Sequence, residues 1–176
     1  LINETCNFGL VTDKSKYYYF SDNIQKDELI NYRISKIKCQ LKSNKYIIGI
    51  QFIGINRNDS SERVLIDVQP KDLPDLEQEY ILDSLEYIID MKVWIKERLL
   101  GFEITTNKSS KKFGYDGGEE PIQVPDLANK KNVVIAFYVC ADDTDGVTSI
   151  TAYYLDAKKY NLALYSGIFY LKLKIK

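Results

Sequence analysis

An all-β fold is predicted for this chain on three observations. It carries 14 tyrosines and a single methionine in 176 residues, and rings and β-branched side chains suit the half-buried, pleated surface of a sheet. At its C-terminus Leu171, Leu173 and Ile175 interleave with Lys172, Lys174 and Lys176, a pattern that only a strand resolves into one apolar and one charged face. Val133 to Cys140 is continuously apolar and reads as a strand buried on both faces.

The other elements follow in order. Ile37, Cys39 and Leu41 alternate with Lys38, Gln40 and Lys42, and Ile48, Ile50 and Phe52 fall around Gly49 and Gln51. Both runs read as strands. Turns are expected at Ser43-Asn44, Asn58-Asp59, Gly117-Gly118, 129–132 and 142–146. Leu82, Leu85, Ile89 and Val93 fall at helical spacing, so periodicity alone predicts a helix in part of Leu76 to Leu100. A further strand is expected at Ile168 to Ile175. Short strands separated by polar turns indicate a sandwich or barrel-like architecture. The length suits one domain, and no linker or internal repeat is legible.

Composition narrows the function. With 24 basic and 25 acidic residues the net charge is −1, which leaves no cationic excess to neutralise nucleic-acid phosphates. No stretch approaches the roughly 18 apolar residues that span a bilayer. Histidine is absent, which removes the commonest general base and metal ligand. Cys6, Cys39 and Cys140 have no paired spacing and read as buried thiols. The chain begins at Leu1 with its only methionine at Met91, as expected of a processed chain or a segment. Sequons at Asn3, Asn58 and Asn107 lean toward secretion. Gly114 to Gly118 lacks the Lys-Ser/Thr of a phosphate loop and reads as a turn. Asp142 to Gly146 resembles the start of a calcium loop without its closing glutamate, and reads as a solvated acidic loop. No catalytic constellation, cofactor or metal site is expected.

Five pieces then occur in a telling order: Phe20-Ser21-Asp22-Asn23; Arg33 to Leu41 with Ile48-Gly49-Ile50-Gln51-Phe52; Glu86-Tyr87-Ile88-Ile89; Leu100 to Asn107 with Phe113-Gly114; and Val133 to Leu155. Together they resemble a jacalin-related lectin domain. The resemblance implies a β-prism of three four-stranded sheets over 20–155, preceded by an N-terminal segment with the first strand (1–19) and followed by an extra C-terminal strand (156–176). It also implies that Glu86 to Val93 is strand, against the helical spacing.

The resemblance further implies a non-catalytic module that binds glycans without metal, through three loops at one end. Tyr17 and Tyr18 stand where the family has a glycine pair, and Trp94 where it has an aromatic ring. Gly146, Val147, Thr148 and Ser149 occupy the last loop, with Ser149 in place of an aspartate. That aspartate accepts two charge-assisted bonds from sugar hydroxyls, and its loss costs about 1.5–3 kcal/mol. Ser149→Asp is accordingly expected to restore sugar affinity. Two functions remain in view: a carbohydrate-binding module with an altered site, or a structural subunit that binds a protein partner in a larger assembly.

Overall fold

A computed structural model describes residues 2–5, 8–9, 16–18, 24–43, 45–70, 73–128, 131–142 and 146–159, without the side chains of Tyr17 and Tyr18. The strand expected at Ile168 to Ile175 lies outside the described residues.

Thirteen strands, one 3-10 helix and a single helical turn at 157–159 are the regular elements of the described residues. In order they are β1 (Asn3–Glu4), β2 (Phe8–Gly9), β3 (Lys16–Tyr18), the 3-10 helix (Lys26–Asn31), β4 (Tyr32–Lys42), β5 (Tyr46–Asn56) and β6 (Glu62–Val68). Then come β7 (Leu76–Ile81), β8 (Ile88–Ile95), β9 (Leu99–Thr106), β10 (Ser110–Gly114), β11 (Ile122–Gln123), β12 (Asn132–Asp142) and β13 (Gly146–Asp156).

Hydrogen bonding joins nine strands in one network and four in another. The larger network narrows to one pairing of β12 with β8, at Val134 and Ile88, so it is two sheets meeting at a corner. Three sheets result, each built on a long hairpin with a strand on either flank. The second sheet runs β6-β5-β4-β7, the third β10-β9-β8-β11. In the first, β3 flanks β12, while β1 and β2 lie along β13 as one interrupted strand. This is a β-prism.

The register reveals a threefold repeat that no residue identity announces. β4 and β5 shift register between Ile34 and Lys36 and again between Gln40 and Leu41. β8 and β9 do so between Ile88 and Asp90 and between Trp94 and Ile95. β12 and β13 do so between Val134 and Ala136 and between Cys140 and Ala141. Each hairpin thus carries two bulges at equivalent places, where an extra residue bends the strand and increases its twist. Residues 34–41, 88–95 and 134–141 correspond one to one, as do 47–54, 99–106 and 147–154.

Side chains alternate across these hairpins as the pleat requires. Ile37, Met91 and Phe137 point inward at one level and Cys39, Val93 and Val139 at the next, all buried. Phe52 of the second sheet stacks on Phe137 of the first with ring centroids 4.5 Å apart, which ties two sheets through the core. Gly101 admits close packing of β9 on β10: a Cβ there would lie 2.5 Å from the Phe113 carbonyl oxygen.

The helical spacing in 76–100 does not produce a helix. Leu82 is buried and Leu85 is 74% exposed, so the stripe is not one face, and pairing of Met91 with Ile104 and Val93 with Phe102 makes β8 a strand. The turn between β7 and β8 is anchored by the buried Glu86 carboxylate. Its Oε1 accepts hydrogen bonds from Tyr80 Oη (2.5 Å) and Thr106 Oγ1 (2.6 Å), and its Oε2 from the Asp83 N–H (3.2 Å). Burial opposes the charge, but bonds from Thr106, Tyr80, Asp83 and Ser109 outweigh it and hold Glu86 below its ordinary pKa.

Glu86→Ala strips these donors of a charged acceptor and is expected to cost about 2–3 kcal/mol. Because the folded pKa is depressed, the stabilisation is full above the unfolded value of about 4.3. It is lost as pH falls below that value through the folded pKa. Urea unfolding at pH 7 and in mild acid, wild type against variant, checks this: the gap between them narrows in acid.

Candidate functional site

The three hairpins turn at the same end of the prism. Their last pairs are Lys42 with Tyr46 and Asp142 with Gly146, and Lys96 donates its N–H to the Arg98 carbonyl at 3.2 Å. Tyr46, Arg98 and Gly146 are therefore equivalent residues, each immediately before the second strand of its hairpin. They meet neighbours across the sheets. The Arg98 guanidinium lies 4.1 Å from the Tyr46 ring centroid. Gly146 has φ +72°, and a Cβ on it would lie 2.8 Å from Ile48 Cα and 2.9 Å from the Ile47 carbonyl oxygen. Only glycine takes that conformation at so close an approach without strain.

On the first-strand side of each turn the equivalent residues are Lys42, Lys96 and Asp142. Lys42 Nζ donates to the Leu73 carbonyl at 2.8 Å, with Asp75 3.7 Å away. Lys96 pairs with Glu119 at 3.2 Å. The first sheet alone places an acid here, half-buried Asp142; residues 143–145 lie outside the described residues.

The residues singled out from the sequence are distributed as follows. Gly146 stands at the turn. Val147, Thr148 and Ser149 run inside β13 and are buried, at 0%, 2% and 0% exposure. Thr148 Oγ1 donates to the Cys140 carbonyl at 3.3 Å. Ser149 pairs with Cys140 on one side and Gly9 on the other. It is the equivalent of Gly49 and Gly101, and its side chain is fully buried beside the Cys140 thiol across the strand pair. Trp94 sits on the outer face of β8, opposite Gly101, at 7% exposure. Lys112 Nζ covers its ring at 4.3 Å, so the indole face is packed rather than presented. Tyr17 and Tyr18 pair through their backbones with Cys140 and Val139. Sequence reading missed Tyr46 and Arg98, whose signal is their position one residue before Ile47 and Leu99.

Two other features hold less chemistry. A groove of about 280 Å³ runs over the outer face of the second sheet, but its side chains satisfy one another: Gln40 with Glu77 at 2.9 Å, Gln51 with Asp67 at 3.2 Å and Lys38 with Glu79 at 3.4 Å. Cys39 and Cys140 are free, buried thiols. Burial pushes both pKa values up, which suppresses the nucleophilic thiolate.

No family model matches the chain, and no curated protein matches it in sequence. Solved structures do. AcmJRL, a mannose-binding jacalin-related lectin from Ananas comosus, superposes with a TM-score of 0.64 at 16% identity, covering 88% of this chain and 98% of that one. The fold is that of the jacalin-related lectins. Calsepa lectin in complex with a biantennary N-glycan matches with a TM-score of 0.67 at 14% identity, over 89% of this chain and 97% of its own. A prostate-specific WGA16 glycoprotein lectin gives a TM-score of 0.60 at 22% identity, over 88% and 99%.

Proposed function

We propose that this chain is a non-catalytic carbohydrate-binding module of the jacalin type, with an altered site at the hairpin end of the prism. The observation that carries this reading is the convergence of Tyr46, Arg98 and Gly146 there, beside an acid at Asp142. A sugar needs a flat apolar face for its C–H groups and charged or amide groups for its hydroxyls. Tyr46, half-buried where Trp94 is buried, supplies apolar ring area, and the Arg98 guanidinium beside it supplies donors. Asp142 supplies a charge-assisted acceptor, on the first-strand side of the turn instead of the second. Gly146 lets this turn pack directly on Ile47 and Ile48 of the second sheet, which sets the turn beside Tyr46. Val147, Thr148 and Ser149 hold the turn from within the strand. Raised thiol pKa values and the lack of histidine agree with a binding role rather than catalysis.

The test is a glycan array probed with the purified chain, followed by calorimetric titration with mannose and a biantennary N-glycan. Asp142→Asn and Tyr46→Ala are each expected to weaken binding about tenfold, a loss of about 1.4 kcal/mol. Asn58→Ala, at the opposite end, leaves it unchanged. No retained glycan, or equal binding by all three variants, would remove the lectin reading. The missing acid at 146–149 favours the other one, a prism that serves as a subunit for a protein partner.

A further inference from the structure

The three hairpins show the same outer face to different surroundings. In the second sheet its equivalent positions are Lys36, Lys38, Gln40 and Gln51, and in the third Asp90, Lys92, Trp94 and Glu103. In the first sheet they are Ala136, Tyr138, Cys140 and Thr151. Charges and amides give way to small or neutral side chains. Exposure follows: the Lys38 and Lys92 side chains are 46% and 41% exposed, whereas Ala136, Cys140, Ser149 and Thr151 are 0% exposed. A face that points away from the prism core is built and buried like an interior. At one part of it Lys26 lies 4.7 Å over the Tyr153 ring, and Tyr138 Oη donates to Glu4 at 3.1 Å. Cys140 and Ser149 lie further toward the hairpin turn and are fully buried as well.

We propose that residues 160–176 of this same chain cover the outer face of the first sheet. Position, reach and pattern agree. β13 leads out of this sheet at Asp156, and the described chain ends three residues later at Lys159. The remaining 17 residues reach up to ~56 Å when extended, against ~36 Å for the length of β13. Their end alternates Leu171, Leu173 and Ile175 with Lys172, Lys174 and Lys176. One side of such a segment meets an uncharged face without stranding a charge, and the other leaves its lysines in water. The outer faces of the second and third sheets, with Lys38, Glu79, Lys92 and Glu103, offer no such apolar seat.

Cys140 reports on the cover from beneath it, and Cys39, on the inner face, reports on unfolding. In the full chain carrying Cys6→Ser, iodoacetamide is expected to alkylate both thiols slowly, as read by peptide mass. Adding Leu171→Asp, Leu173→Asp and Ile175→Asp is expected to speed alkylation of Cys140 at least tenfold while Cys39 stays protected. An unchanged Cys140 rate in that variant overturns the proposal. Where both thiols open together, a photo-crosslinking p-benzoylphenylalanine at Leu173 in the otherwise unaltered chain decides. Crosslinks within one chain to β12 or β13 uphold the cover. Crosslinks elsewhere, or only between two copies, overturn it.

Discussion

Phe52→Ala is expected to lower the stability of the domain by about 3–5 kcal/mol, the usual cost of emptying a buried aromatic site. Phe52 is fully buried and stacks on Phe137 at an interplanar angle of 22°, so the change removes both the transferred apolar area and a ring contact between two sheets. The contact lies at the prism axis, where sheets with different hydrogen-bond networks meet only through side chains. Relaxation into the hole would need whole sheets to move, which places the cost toward the upper end of the range. Phe137→Ala is expected to cost a similar amount. The double variant costs less than the two together, because each single change already abolishes the shared stack. Urea denaturation of the four proteins measures all of this, and strict additivity would show that the rings do not couple the sheets.

The second large effect concerns Ser149, and it reverses an expectation. From sequence, Ser149→Asp restores a sugar acceptor. In the fold Ser149 is a strand residue at 0% exposure, flanked by Gly9, on which a Cβ would already lie 2.7 Å from Ser149 Cβ. A carboxylate placed there is buried beside only the weak Cys140 thiol donor, at a position where the other two hairpins have glycine. The expected result is a loss of about 3 kcal/mol or more at pH 7, with no gain in sugar affinity. Burial raises the introduced carboxyl's folded pKa above its unfolded value of about 3.9. Its penalty is therefore absent below that value and grows as pH rises through the interval. Unfolding curves at pH 3.5 and 7 check the sign: a deficit equally large in acid would mean that crowding, not charge, is the cause.

How far the sequence could be read follows from which forces leave a local trace. Alternation in 37–42 and 48–52 marks strands because each sheet buries one face, and Ile37, Cys39, Leu41, Ile50 and Phe52 do point inward. The unbroken apolar run of β12 marks burial on both faces, which the first sheet confirms at Ala136, Tyr138 and Cys140. The helical spacing of Leu82, Leu85, Ile89 and Val93 was a coincidence across a turn, decided by partners on β9 rather than by neighbours in sequence. The threefold repeat is not legible in the sequence because bulge positions and register carry it, not residue identity: Gln40, Trp94 and Cys140 are equivalent and share nothing chemically. The same blindness hid Tyr46 and Arg98, which become neighbours only when separate hairpins turn at one end. It also set Ser149 in a loop, since a single-residue offset between turn and strand has no signature in composition.

The flanks of the first sheet come from the opposite end of the chain to its hairpin: β1 to β3 precede residue 19, while β12 and β13 span 132–156. The second and third sheets are contiguous in sequence, over 32–81 and 88–123. On a ribosome delivering about 5–20 residues per second, the two contiguous sheets have all their strands before residue 132 is made. The strands that precede residue 19 must wait for partners made after them all. During that interval their backbone groups are unpaired, and the corner at Val134 and Ile88 is open. A nascent chain stalled before residue 132 therefore holds two sheets of a three-sided body.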